Sequence, residues 1–259
     1  MNQEALQQYQ ISLTEYRHIV NQLPDKKYYE FVYNKFFNPD VQYKNWQPWD
    51  QWDYPVQDAV RFKTILLDNV SHINNYSVVD FGCHLGYMSM FASHLGASQV
   101  TGTNIRPNEL ALAQELCEIS QHHNVSFVLS DVHNPKLVQD LCNQHHTVLF
   151  SGILYHMNNH CEILQAITGS TASTVIIDTM VDAAIKDSTE PLMTFHVDNC
   201  ADSVSGFDAA GAKTMLVGRP NQAWIDLAMQ HMGWNRAYTR EYMMFHPNQR
   251  YRYASTWIR

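Results

Sequence analysis

Between Tyr76 and Val181 the chain alternates short apolar runs with helical stretches. The runs are SVVDF, QVTGTN, VSFVLSD, TVLFSG and STVIIDT. Helical spacing fills the intervals at about 86–96, 107–121, 135–144 and 160–168, with Pro107 suited to a first helical turn. Strands that alternate with helices in this way build βαβ units, so the pattern predicts a parallel sheet with helices on both faces. After Val181 the alternation stops, and 182–215 reads as irregular. A helix is predicted from Asn221 to Met232, closed by Gly233. Two strands around a turn at Pro247 and Asn248 then form an antiparallel hairpin.

Ahead of this unit, residues 3–23 space Leu6, Tyr9, Leu13, Tyr16, Val20 and Leu23 as an amphipathic helix, and 27–37 continues as a second. A loop containing Trp46, Trp49, Trp52 and Tyr54 follows, broken by Pro48 and Pro55, and then a helix from about Val56 to Val70. The expected organisation is a helical extension and aromatic cap over 1–70 and one α/β domain over 71–259. The segment 182–215 is a candidate substrate-pocket insertion.

The sequence VVDFGCHLGYMSMF places Asp80, Gly82 and Gly86 between the first strand and its helix. Glycine there permits positive φ and close approach of backbone to a ligand, and the helix start offers free N–H groups. A phosphate loop needs Lys-Ser or Lys-Thr after the last glycine, where Tyr87-Met88 stands, and no G-x-G-x-x-G occurs. The turn is read as a cradle for another adenosyl ligand or as a tight core turn.

With its acidic residue two positions before the first glycine, the segment from Tyr76 to Arg259 resembles the class I S-adenosylmethionine-dependent methyltransferases. Their first motif reads acidic-x-Gly-x-Gly-x-Gly, and their sheet also ends in an antiparallel hairpin. The resemblance implies a Rossmann-like, seven-stranded, mostly parallel sheet. It also implies S-adenosylmethionine as cofactor, with S-adenosylhomocysteine as product. It assigns Asp80 to the methionine amino group or a structural water, and Gly82 and Gly86 to close passage, with Cys83 between them. His84 stands at the middle glycine. Asn104 replaces the acid that holds the ribose hydroxyls, followed by Ile105. Asp131 would accept from the adenine amino group beside Val132. Ser151 and Gly152 would face the sulfonium. The segment Leu154-Tyr155-His156 resembles that of the branch containing the tRNA wobble-uridine carboxymethyl-transferring enzymes. His156 is the candidate base, and Tyr155 is a candidate to orient the acceptor.

Trp49, Trp52, Tyr54 and His196 are candidate substrate contacts. The 14 histidines raise the question of a metal. Adjacent pairs such as His122-His123 point to different sides, and His156 and His160 would share a face only on a helix, so no metal is expected. Five scattered cysteines without a C-x-x-C pair suggest reduced thiols and a cytoplasmic setting. The polar N-terminus carries no secretory pattern, and no apolar run is long enough to span a membrane. The net charge of −8 argues against a general nucleic-acid grip and for a small-molecule acceptor. The six arginines between Arg219 and Arg259, against Asp226 and Glu241, keep an RNA acceptor as the second reading. A non-catalytic binding module of the same fold is the third, motivated by His84 and Asn104.

Overall fold

The computed structural model describes residues 61–119, 121–199, 214–244 and 250–259. The predicted helices over 3–23 and 27–37, the aromatic loop with Trp49, Trp52 and Tyr54, and the turn at Pro247 lie outside them. The α/β core consists of β1 (Ser77–Phe81), α1 (Tyr87–His94), β2 (Gln99–Asn104), α2 (Pro107–Ile119), β3 (Val125–Leu129), α3 (Pro135–Cys142), β4 (Thr147–Ser151), α4 (His160–Thr168) and β5 (Thr174–Val181). Then follow β6 (Met193–Asn199), β7 (Thr214–Pro220), α5 (Gln222–His231), β8 (Asn235–Met244) and β9 (Arg250–Ile258). The main sheet has seven strands in the order β3-β2-β1-β4-β5-β9-β8. Strands β1 to β5 pair in parallel, and β9 is antiparallel to both β5 and β8. This is the Rossmann-like architecture expected from the sequence, closed by the expected hairpin. No helix among the described residues is long and apolar enough to cross a membrane.

Alternating side chains of the central strands feed two cores. Val79, Phe81, Val148, Phe150, Val175 and Ile177 pack under α3, α4 and α5. Val78, Val100, Leu149 and Ile176 pack on the other face under α1, α2 and the segment carrying Phe62, Ile65 and Leu66. Helices on both faces explain why these strands read as continuous apolar runs.

Two segments differ from the sequence reading. The expected helix over 56–70 is helical at residues 61–65 and then becomes a 3-10 turn, Leu67–His72. Asn69 leaves the helical region (φ −116°, ψ 17°), and its amide donates to the carbonyls of Thr64 at 3.0 Å and Ile65 at 3.1 Å. It thereby caps the helix that the apolar spacing would continue. The segment 182–215 is not irregular throughout, because β6 and β7 form an antiparallel ribbon of their own. In β6, exposed Phe195 and Val197 alternate with half-buried Thr194 and His196. That polar alternation hides the strand from a search for apolar runs.

The connection from β5 into this ribbon is held by Asn221, the fully buried N-cap of α5. Its Oδ1 accepts from the backbone N–H of Trp224 and of Leu192, each at 3.0 Å. Its Nδ2 donates to the carbonyls of Ile185, Ser188 and Glu190. Asn221→Ala removes the cap and leaves several of these groups unsatisfied. It should lower stability by about 2 kcal/mol, read as a lower urea midpoint with an unchanged slope.

Candidate active site

Strand order reverses between β1 and β4. Their neighbouring helices leave to opposite faces there, and a crevice opens beyond the carboxyl ends of the strands. The turn after β1 forms its floor. Gly82 (φ 66°) and Gly86 (φ 80°) adopt left-handed backbone, as does His84 (φ 52°). A Cβ on Gly82 would stand 1.9 Å from Ile153 Cδ1, and one on Gly86 would stand 2.6 Å from the Phe127 ring. Gly86 caps α1. Asp80 is buried at the end of β1 and accepts from Ser89 Oγ at 2.7 Å. Burial pushes its carboxyl up to about 6, against the Ser89 hydrogen bond and the charge of Arg61.

The sequence candidates Gly82, Asn104, Ile105, Asp131, Val132 and His156 line the crevice together. Ser130, His133, Ile153 and Met157 complete the lining. Ser130 Oγ is buried without a partner among the described residues. Next to it, Asp131 Oδ1 accepts from the backbone N–H of His133 at 2.9 Å and lies 3.1 Å from its Nδ1. The hydrogen bond from His133 holds the Asp131 carboxyl below its usual range. At the end of β2, Asn104 Oδ1 accepts from the backbone N–H of Ile105 at 2.8 Å and of Arg106 at 3.4 Å. Its Nδ2 donates to Glu109 Oε2 at 2.7 Å and to the His84 carbonyl at 3.5 Å.

After β4, Leu154–His156 form a single 3-10 turn. The rings of Tyr155 and His156 lie 4.2 Å apart at 48°. His160 is buried behind this turn, its Nε2 2.9 Å from the Leu154 carbonyl and 3.0 Å from the Gly218 carbonyl of β7. His156 and His160 therefore lie on separate elements. Among the described residues no group of three His, Cys, Asp or Glu side chains could hold a metal.

Ser151 is not among the residues that line the crevice. Its hydroxyl donates to Asp178 Oδ2 at 3.1 Å and accepts from Arg61 Nη2 at 3.0 Å. Asp178 is fully buried on β5. It also accepts from Tyr242 OH at 2.6 Å, from Arg252 Nε at 2.9 Å and Nη2, and from Arg61 at 3.3 Å. The guanidinium of Arg252 lies 5.5 Å from the centre of the Tyr155 ring. Sequence reasoning missed this cluster. Its signals are an acid inside the apolar run TVIIDT and an arginine between the tyrosines of RYRY. Cys83 is buried in the glycine turn, its thiol pushed up by burial. His196 lies on β6, its Nε2 3.1 Å from Asp182 Oδ2. Asp198 and Asn199 belong to β6 as well, and Asp202 lies outside the described residues.

Four of the six C-terminal arginines are engaged internally. Arg236 pairs with Asp226, Arg240 with Asp68 and Arg252 with Asp178. Arg259 donates to the carbonyls of Ala172, Thr168 and Ser170.

Residues 78–173, from β1 to the threshold of β5, match the methyltransferase domain family. Over 63 residues the chain is 38% identical to the ribosomal protein L11 methyltransferase of Polynucleobacter necessarius subsp. necessarius (strain STIR1). That match takes in 24% of this chain and 19% of the relative, so the chain spans about a fifth of that protein's length. Among solved structures, the N-terminal domain of EvdMO1, solved in the presence of SAH and D-fucose, is similar at a TM-score of 0.58 and 14% identity, covering 90% of this chain and 96% of that one. Magnesium protoporphyrin IX methyltransferase (ChlM) from Synechocystis PCC 6803, with bound SAH, gives 0.56 and 16%, covering 90% and 99%. The PH0226 protein from Pyrococcus horikoshii OT3 gives 0.54 and 12%, covering 90% and 98%. What these structures share with the chain is the fold, a Rossmann-like, mostly parallel seven-stranded sheet that ends in an antiparallel hairpin.

The Asp178 cluster gives a pH-dependent prediction. Burial works against its charge, but Arg252 and Arg61 outweigh it and pull the carboxyl down to about 2. A carboxyl depressed in the folded state stabilises above its unfolded pKa of about 4. That contribution disappears as pH falls from there through about 2. Asp178→Asn leaves Arg252 buried without its counter-charge. It should cost roughly 3–5 kcal/mol at neutral pH. In urea titrations from pH 7 to 2, the gap between wild type and variant should narrow at the acid end.

Proposed function

We propose that the chain is an S-adenosylmethionine-dependent methyltransferase that acts on oxygen or nitrogen of a small-molecule acceptor. The observation that carries this reading is the crevice itself. Left-handed Gly82, the Ser130 hydroxyl, unpartnered among the described residues, and the Asp131 carboxylate line one volume at the strand-order reversal, and the buried Asp80 carboxyl ends the strand that leads into it. These groups fit an adenosyl ligand with a cationic amino-acid tail. The cofactor, when bound, supplies an electrophilic methyl group on a sulfonium. Asp131 and Ser130 take the adenine edge beside Val132. Asp80, in its ionised form, supports the ammonium, and Gly82 and Gly86 let the backbone lie close.

On the acceptor side, His156 takes the acceptor's proton, a role that contributes a factor of roughly 10²–10⁴ where it operates. Tyr155 orients the acceptor, braced by Arg252 beneath its ring. Alignment at near-attack distance is the protein's main task in such a displacement. His196 and the ribbon are the proposed source of acceptor choice, because the ribbon is fastened to the turn that carries His156. The likeness to EvdMO1 and to a magnesium protoporphyrin IX methyltransferase supports a small acceptor. So does the internal engagement of Arg236, Arg240, Arg252 and Arg259, which takes these side chains away from any phosphate-binding face.

Titration calorimetry of the whole chain with S-adenosylmethionine and S-adenosylhomocysteine tests the reading. Micromolar binding that Asp131→Ala weakens at least tenfold is expected, and absence of binding to both ligands overturns it. A second expectation concerns pH. The Asp80 carboxyl titrates at about 6, and only its ionised form attracts the ammonium, so affinity should rise as pH passes from 5 to 7. Asp80→Asn should flatten that rise.

A further inference from the structure

The two places where the chain departs from the family's motif meet at a single carboxylate. His84, in the glycine turn, has its Nε2 3.8 Å from Glu109 Oε1. Asn104, at the end of β2, has its Nδ2 2.7 Å from Glu109 Oε2. Glu109 is the third residue of α2, one helical turn beyond the strand end, and its side chain is 19% exposed.

Asn104 has no capacity left for a ligand. A primary amide offers two acceptor sites and two donor hydrogens. The backbone N–H groups of Ile105 and Arg106 occupy the first pair, and Glu109 and the His84 carbonyl occupy the second. Glu109 has capacity left. An ionised carboxylate accepts at about four positions. Asn104 fills one on Oε2 and Arg106 Nη1, at 2.7 Å, fills one on Oε1. Burial works against the Glu109 charge, but His84, Arg106 and Asn104 outweigh it, so the group stays ionised. The carboxylate is thus anchored from one side and adjoins an amide that lines the crevice.

We propose that Glu109, and not the residue at the end of β2, holds the ribose hydroxyls of the cofactor, with Asn104 serving to aim it. This assignment rests on the cofactor reading above. A carboxylate that accepts from a diol makes charge-assisted hydrogen bonds, and removing its charge costs about ten- to a hundredfold in affinity. The rival role is a purely local one, in which Glu109 only stabilises the start of α2.

Calorimetry on the whole chain with two probes separates these roles. The probes are S-adenosylhomocysteine and its 2′,3′-dideoxy analogue. Glu109→Gln should weaken S-adenosylhomocysteine by at least tenfold and leave affinity for the dideoxy analogue within twofold of wild type. The exchanged pair Asn104→Asp with Glu109→Gln restores one carboxylate beside one amide, and it should regain most of the loss. Equal weakening of both probes, or no weakening of either, overturns the assignment while the wild type still binds. Failure of the wild type to bind S-adenosylhomocysteine overturns the cofactor reading and this assignment together. Matched circular dichroism melts keep a folding defect from passing as a binding effect.

Discussion

A carboxylate with no access to water and two guanidinium groups against it fixes the working end of this sheet. Asp178 belongs to β5, Ser151 to β4, Tyr242 to β8 and Arg252 to β9, and Arg61 comes from the helical segment packed above them. Four strands and one helical segment therefore share a single buried charge. Such a cluster is a poor source of net stability, because each ion is costly to desolvate. It is a strong source of register. A slip of β9 against β5 by one residue would turn Arg252 to the opposite face and strip Asp178 of its buried counter-charge, leaving only the more distant Arg61. The antiparallel hairpin is thus locked in the one alignment that brings Arg252 beneath Tyr155.

The fold was largely legible because β1, β4 and β5 are buried on both faces and so appear as nearly unbroken apolar runs. Asn69 and the ribbon were not legible, and for opposite reasons. Asn69 stops a helix through side-chain bonds to carbonyls at Thr64 and Ile65, and helical periodicity contains no term for that competition. In β6 the apolar Phe195 and Val197 stand exposed while the polar Thr194 and His196 are half-buried, so the strand carries no continuous apolar run.

The site was legible where the backbone dictates it. The glycine turn and the ends of β2, β3 and β4 brought Gly82, Asn104, Asp131 and His156 to one crevice. Side-chain partners were not legible. Ser151 sits at a strand end as expected, and its hydroxyl is engaged by Asp178 and Arg61 from other elements. Glu109 lies five positions beyond Asn104, and only helical geometry brings its carboxylate back beside that amide.

Among the described residues the ribbon of β6 and β7 pairs only with itself and adds no strand to the main sheet. Part of its attachment runs through its main chain. The Gly218 N–H donates to the Met157 carbonyl at 2.8 Å, and the Gly218 carbonyl receives His160. Main-chain anchorage is indifferent to the side chains farther along the ribbon. Exposed Phe195, Val197 and Leu216 can therefore be exchanged without disturbing the sheet, the glycine turn or the Asp178 cluster. The ribbon is thus a separable module: its outer face is free to change shape and polarity while the buried framework beneath it keeps its register.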